Sequence, residues 1–142
     1  MLVNLPGHWT ILLDFAAWFA IHVGVSYATS RASVQSFKPD NWLYREKQWE
    51  KSGGIYNTLL RISRWKELLP DGAALFKSGF RKKRLNCLDI LYLDKFIRET
   101  CRAEVTHWGI FAFAPAFFLW NTWWVGMIMI LYALSVNAPC II

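Results

Sequence analysis

All but one of the charged residues lie in the middle of this chain. Residues 31–104 contain all 16 Lys and Arg residues and nine of the ten acidic residues, and Asp14 is the one remaining charge. Only 18% of the residues are charged and 55% are hydrophobic, whereas a soluble domain carries about a quarter charged residues. A basic segment between two apolar ones predicts an integral membrane protein, and the length allows a single membrane domain, residues 1–142.

Two long stretches are almost free of charge. Residues 9–27 are long enough to cross the hydrocarbon core of a bilayer as one helix, at a rise of about 1.5 Å per residue. The 35 residues of the stretch 108–142 carry no charge; they exceed one span and fit two, with a turn at Asn121 and Thr122 between flanking tryptophans. We therefore expect an all-α membrane protein with about three transmembrane helices, at residues 9–27, 105–120 and 123–142.

The distribution of Lys and Arg also predicts orientation. Loops rich in these residues stay on the cytoplasmic side, so residues 31–104 are expected to be cytoplasmic or interfacial, with the N-terminus outside and the C-terminus inside. Pro115 removes a backbone donor from the second span and should bend it. The first residues contain no Lys or Arg and no cleavage pattern of small residues follows, so a removable signal peptide is not expected.

The middle segment has a helical pattern of its own. Between Gly53-Gly54 and Pro70-Asp71-Gly72, apolar residues recur at helical spacing, and we expect amphipathic helices on the inner membrane face. The basic cluster at residues 81–84 favours phospholipid head groups over nucleic acid as its partner, since it lies between predicted spans. Homo-oligomerisation is left open. The apolar residues of this pattern are Leu59, Leu60, Ile62, Trp65, Leu68 and Leu69.

Residues that form disulfides or bind metals are sparse. Three cysteines without a Cys-x-x-Cys pair indicate free thiols rather than a disulfide framework or a zinc site. Glu104-x-x-His107 has the form of one half of the iron site in carboxylate-bridged bundles, but the second copy that such a site needs is absent from the sequence. We expect no metal and no bound cofactor, and the sequence has no nucleophile elbow or phosphate-binding loop.

One predicted helix carries polar residues directly into the membrane. The helical pattern continues over residues 89–120, and on it Glu104 and His107 are three residues apart, so their side chains share a face. A carboxylate beside an imidazole can fix its tautomer and raise its basicity, as general-base catalysis on a hydroxyl requires. The competing interpretation is that these residues, with the pair Glu99 and Arg102, are anchors at the membrane interface.

Three segments are distinctive when they are taken together: SRWKELLPDGAALF (63–76), ETCRAEVTHW (99–108) and LYALSVNAPCII (131–142). They resemble the glycosyl-4,4'-diaponeurosporenoate acyltransferase family of Gram-positive bacteria, and the resemblance extends from about Trp9 to the end of the chain. Asn137 and Pro139 are among the shared residues. The resemblance implies a multi-pass enzyme of the bacterial cell membrane that esterifies the primary hydroxyl of a carotenoid glucoside. The fatty acyl group would come from acyl-CoA or a similar acyl thioester.

The same resemblance, combined with the chemistry of acyl transfer, suggests roles for the shared residues. His107 would take the proton of the hydroxyl, Glu104 would orient the imidazole, and Arg102 or Lys66 would bind the donor's phosphates or the developing oxyanion. Two alternatives stay open: an acyltransferase with another lipid, glycolipid or lipoprotein acceptor, and a non-catalytic membrane scaffold. The candidate substrate-binding residues are Glu99, Arg102, Trp65, Lys66, Asp71 and Trp108.

The resemblance also implies a further part of the protein. Members of the family continue past the third span into a polar stretch rich in Arg and Asn, whereas this sequence stops at Ile142. We therefore expect either an additional polar segment or a member that has lost it.

Overall fold

The computed structural model describes residues 5–44, 48, 54–65 and 89–141. Every regular element within these ranges is helical and none is a strand, which confirms the predicted all-α class. Two 3-10 helices, Val34–Ser36 and Ala114–Leu119, accompany the α-helices. The α-helices are α1 (Gly7–Arg31), α2 (Gly54–Leu60), α3 (Ile62–Trp65), α4 (Ile90–Ala112) and α5 (Trp123–Ile141).

The chain divides into two compact units. The first, called the bundle unit, comprises residues 1–31 and 104–141, and the second, called the middle unit, comprises residues 32–103 with residue 142. α1, the C-terminal part of α4 and α5 belong to the bundle unit, while α2, α3 and the N-terminal part of α4 belong to the middle unit. The predicted single membrane domain stays a prediction.

α1 and α5 have the length and composition of membrane-crossing helices. At about 1.5 Å per residue, the 25 residues of α1 and the 19 of α5 reach about 37 Å and about 28 Å, close to or beyond the roughly 30 Å of the hydrocarbon core. Only 11% of the most apolar window of α1 and 17% of that of α5 are buried within the protein, whereas the core helix of a soluble protein is mostly buried. Large apolar side chains point outward instead, among them Phe15, Phe19, Ile128 and Leu131. Both helices therefore suggest association with a membrane.

The predicted second span, residues 105–120, is not a continuous α-helix. α4 ends at Ala112, and the 3-10 helix Ala114–Leu119 follows it. The cause is Pro115, which has no backbone N–H and whose ring clashes with a carbonyl group of the preceding α-helical turn. At the first positions of the 3-10 helix, where it lies, no hydrogen bond from its nitrogen is needed. Among the described residues, two helices rather than the predicted three have the length and composition of a span.

Trp18 is at the centre of the bundle unit's core. Its indole stacks on Phe117 with a centroid distance of 4.5 Å, and its Nε1 lies 3.2 Å from the sulfur of Met129. Ile110, Ala114 and Ala133 are buried in the same cluster. Aromatic stacking and a thioether contact thus fix one side chain of α1 against the 3-10 helix and α5.

Close approach of the 3-10 helix to α5 depends on Gly126. A Cβ built at this position would lie 2.4 Å from Cε1 of Phe118. Small residues allow helices to approach closely where apolar side chains gain nothing by leaving lipid. Gly126, the one glycine of α5, therefore packs against the ring of Phe118 in the preceding 3-10 helix.

The amphipathic helix predicted in the middle unit is interrupted. α2 and α3 are separated by Arg61, whose φ of 50° lies in the left-handed region. An L-residue with a side chain rarely adopts this conformation, so a continuous α-helix cannot pass through this point. Helical structure is confirmed for residues 54–60 and 62–65, and residues 66–88, with the predicted continuation and the basic cluster, lie outside the described residues.

Candidate active site

His107 is held by a buried asparagine from another helix. It lies on α4, half-buried, and its Nδ1 is 2.9 Å from Oδ1 of Asn137 on α5. Asn137 is 1% exposed, and its Nδ2 donates a hydrogen bond to the backbone carbonyl of Ala133 at 2.8 Å. Because a carbonyl oxygen only accepts, the NH₂ end of the amide faces Ala133 and the amide oxygen faces the imidazole.

This contact determines the tautomer of His107. The amide oxygen of Asn137 has no hydrogen to donate, so the imidazole donates from Nδ1–H and its Nε2 carries the lone pair in the neutral ring. That is the tautomer of a general base that acts through Nε2. Hydrolases with a Cys-His-Asn arrangement orient their histidine with an asparagine in the same way. The arrangement can therefore take a proton from a hydroxyl group that reaches Nε2.

Glu104 lies one turn before His107 on the same face of α4. Its Oε1 accepts a hydrogen bond from Nε1 of Trp108 at 3.4 Å, longer than the usual 2.7–3.2 Å. Three predicted site residues thus lie on adjacent turns of one helix. Nδ1–H of His107 donates its hydrogen bond to Asn137 rather than to Glu104, and the role of Glu104 as orienting partner stays a prediction.

Glu99 and Arg102 form the ion pair that their spacing predicts. Nη2 of Arg102 contacts Oε2 of Glu99, and the two side chains are 14% and 4% exposed. By contrast, the pair of Arg98 and Asp94 at 2.8 Å is on the surface. There, the hydrogen bond that Arg98 donates lowers the pKa of Asp94, so this carboxyl is ionised at neutral pH. Of the two pairs on α4, the one predicted to bind substrate is the one shielded from solvent.

The other predicted binding residues belong to the segment that follows α2. Trp65 is the last residue of α3 and is half-buried. Lys66 and Asp71 lie outside the described residues. Their roles in substrate binding stay predictions.

A second polar cluster lies at the other end of α5. Asp14, the isolated charge of α1, is 7% exposed, and its Oδ1 accepts hydrogen bonds from Nε1 of Trp120 at 2.8 Å and Nδ2 of Asn121 at 2.7 Å. The predicted turn at Asn121 and Thr122 is confirmed, although the side chain of Asn121 is buried. Asp14 therefore holds this turn against α1. Asn137 lies about 21 Å from the start of α5, at about 1.5 Å per residue.

α1 contributes a second imidazole to the region of His107. His22 packs against Trp18 with a ring-centroid distance of 5.7 Å, and α1 contacts α4 next to His107, where the hydroxyls of Thr29 and Thr106 are 2.8 Å apart. Its Nε2 is buried and has no hydrogen-bond partner in the described part of the chain. Two imidazoles from different helices thus share one region of the bundle unit.

The sequence pattern gave no role to Asn137 or His22. Each contacts or approaches His107 from a different helix, and helical spacing relates only residues on one helix. A signal was present nonetheless, since polar side chains in apolar helices at membrane depth often mark functional sites. Asn137 also lies in a segment that carries the family resemblance.

The family model of glycosyl-4,4'-diaponeurosporenoate acyltransferase matches residues 40–142. This chain belongs to that family. A protein of the same name from Staphylococcus haemolyticus (strain JCSC1435) is 29% identical over 137 residues, which cover 92% of this chain and 76% of that protein. One from Staphylococcus aureus (strain MRSA252) is 27% identical over 125 residues, which cover 88% and 75%. No solved structure gives a significant match.

The matched part of this glycosyl-4,4'-diaponeurosporenoate acyltransferase family member contains both partners of the central contact. His107 and Asn137 lie within residues 40–142, whereas α1, with His22, precedes that range. His107 and the amide that it contacts therefore both lie in the portion of the chain that the family model matches.

Proposed function

We propose that this chain is a membrane acyltransferase that transfers a fatty acyl group from an acyl thioester to the primary hydroxyl of a carotenoid glucoside. The family and the staphylococcal relatives are named as acyltransferases of glycosyl-4,4'-diaponeurosporenoate. The apolar helices α1 and α5 suit an acceptor that is dissolved in lipid. The observation that carries the proposal is the hydrogen bond between His107 and Asn137, because it leaves Nε2 of the imidazole as a base.

In the proposed reaction, His107 moves one proton. Its Nε2 takes the proton of the sugar hydroxyl as the hydroxyl oxygen attacks the acyl carbon, and negative charge develops on the carbonyl oxygen. When the tetrahedral intermediate collapses, the carbon–sulfur bond breaks and the proton passes from Nε2 to the departing thiolate. Asn137 accepts from Nδ1–H throughout, so the ring stays in place while it is positively charged.

Charged and aromatic residues near His107 in sequence are proposed to bind the donor. Arg102 would contact its anionic groups, and the ion pair with Glu99 supports this role because it holds the guanidinium in one position. Trp108, exposed on α4, would contact the acyl chain or the sugar. Lys66 and Asp71, with Trp65, are proposed to complete the binding residues.

The proposed setting is the bacterial cell membrane, crossed several times. The basic middle segment would be cytoplasmic and the N-terminus outside, in accordance with the positive-inside rule. A third crossing is proposed from residues 105–120, of which eight α-helical and six 3-10 residues rise about 12 Å each. His107 would then lie toward the cytoplasmic side, within reach of lipid-borne substrates.

The proposal is tested in a bacterial host that makes the carotenoid glucoside and lacks its acyltransferase. Expression of the chain should add the mass of one fatty acyl group to the pigment. His107→Ala should abolish this product and leave the protein in the membrane fraction. The matched control is His8→Ala, which alters an exposed histidine at the start of α1 and should leave ester formation unchanged.

Mass spectra of the whole lipid extract distinguish the alternatives. An acyl group gained by a glycolipid, another lipid or a lipoprotein, with unchanged pigment, would replace the carotenoid acceptor and keep the chemistry. Normal acylated pigment with His107→Ala would contradict the assignment of the base. A chain that forms no ester but is needed by other membrane proteins would be a scaffold.

A further inference from the structure

His22 is a half-buried titratable residue whose Nε2 is buried, and the proposed mechanism leaves it unused. It lies in an apolar helix, and its Nε2 has no hydrogen-bond partner in the described part of the chain. Buried polar atoms in proteins nearly always have such a partner, and an exception at membrane depth often marks function. The side chain therefore has a donor or acceptor to offer to another molecule.

Packing holds the imidazole of His22 in a defined place. It lies one turn after Trp18, on the same face of α1, and the two rings are in contact at a centroid distance of 5.7 Å. Trp18 is itself fixed by its stack on Phe117 and by the sulfur of Met129. A side chain fixed by such packing can present a hydrogen bond without first being ordered.

The same imidazole lies near the proposed base. His22 lies on the same face of α1 as Val25 and Thr29, and this face contacts α4 on both sides of His107. The hydroxyls of Thr29 and Thr106 are 2.8 Å apart, and a Cβ built at Gly109 would meet a valine side chain of α1 at 3.0 Å. α1 and α4 therefore bring two imidazoles to one region. Of the two, His107 is the one that is hydrogen-bonded to Asn137.

We infer that His22 is a second catalytic residue, whose Nε2–H donates a hydrogen bond to the acyl carbonyl oxygen of the thioester. This inference rests on the proposed acyl transfer. Negative charge develops on that oxygen as the hydroxyl attacks, so a fixed donor stabilises the transition state more than the bound substrate. His22 keeps its proton throughout, while the hydroxyl proton moves to Nε2 of His107 and then to the departing thiolate.

Two substitutions of His22 separate hydrogen bonding from packing. His22→Phe keeps an aromatic ring against Trp18 and removes the donor, so it should lower kcat by about 100- to 1,000-fold and change the KM for the thioester by less than about threefold. His22→Gln keeps an amide N–H near the position of Nε2 and should be at least about tenfold faster than His22→Phe. His8→Phe, at the exposed histidine of α1, is the matched control and should keep the wild-type rate.

The variants are compared with wild type and with His107→Ala in the same membranes. Wild-type ester formation that is lost with His107→Ala but kept within about threefold with His22→Phe would overturn the role of His22 and leave the proposed function intact. Equal losses with Phe and Gln in proteins of unchanged thermal stability would also overturn it, because a lost donor would then not be the cause.

A binding measurement decides the role of His22 even if the wild-type chain forms no carotenoid ester, an outcome that would refute the proposed function. The probe is S-(2-oxohexadecyl)-coenzyme A, which keeps the carbonyl and cannot transfer it. In the full chain labelled with ¹⁵N-histidine, the probe should shift the Nε2 resonance of His22, assigned by its loss in His22→Gln. A resonance that does not respond to the saturating probe would overturn the inference.

Discussion

The contact between Asn137 and His107 predicts the size of a catalytic defect. Asn137→Ala removes the acceptor for Nδ1–H, so the imidazole can rotate or change tautomer. A neutral hydrogen bond contributes about 0.5–1.5 kcal/mol net, which lowers the population of the productive orientation, and hence kcat, by about 2- to 13-fold. His107→Ala removes the proposed base and should lower kcat by about 100- to 10,000-fold.

The two effects should not add, because Asn137 is proposed to act only through His107. In the His107→Ala background, Asn137→Ala should change the residual rate by less than about twofold. A side chain that merely supports the fold would instead lower the rate by the same factor in both backgrounds. The double-mutant cycle therefore separates orientation of the base from general destabilisation.

The assay is the initial rate of ester formation by protein in nanodiscs, followed by mass spectrometry, with thermal unfolding measured on the same samples. The substitution also removes the bond that Asn137 donates to Ala133, so a loss of stability of about 1–3 kcal/mol is expected as well. Ser135→Ala is the matched control, since its hydroxyl donates to a backbone carbonyl of α5 on the exposed side. An unchanged kcat for Asn137→Ala, or an equal further loss in the His107→Ala background, would refute the reasoning.

Three further predictions concern the helices around the site. Gly126→Ala places a methyl group 2.4 Å from a phenyl carbon and should lower the free energy of unfolding by about 1–3 kcal/mol, measured by thermal unfolding. The control Gly24→Ala, with nothing within 4 Å of the added methyl group, should not destabilise the protein. Equal stability of the two variants would contradict the packing argument. Asp14→Leu leaves one buried donor and one half-buried donor without their acceptor and should cost about 1–3 kcal/mol in chemical denaturation. Asp14→Asn, which keeps an acceptor oxygen, should lose less. A membrane-impermeant maleimide should label Thr122→Cys in intact cells and the native Cys140 only after the membrane is opened; the reverse pattern would overturn the proposed orientation.

Local rules predicted the helices of this protein well. The uncharged stretches at the two ends became α1 and α5, and the pattern from residue 89 became α4. The pair of Glu99 and Arg102 formed as its spacing required. These features depend on hydropathy and on contacts within one helical turn, and both can be read from the order of the residues.

Interruptions of helices were harder to predict. Pro115 was expected to bend a helix, and it ended α4 and started a 3-10 helix. Arg61 separates α2 from α3 with a left-handed backbone, although its type favours helix. The intrinsic helix preference of a residue such as Arg61 is small in free energy, so the surrounding structure decides its backbone conformation.

The sequence by itself determined that the chain is a set of apolar helices around a basic segment, and it singled out His107. Tertiary structure decided the hydrogen-bond partner of that histidine, which is Asn137 at Nδ1, thirty residues along the chain. It also decided that Asp14 holds the turn before α5. A hydrogen bond between two helices depends on how they are rotated and how closely they pack. That arrangement depends on many small packing contacts between helices, and the spacing of residues along the chain does not predict it.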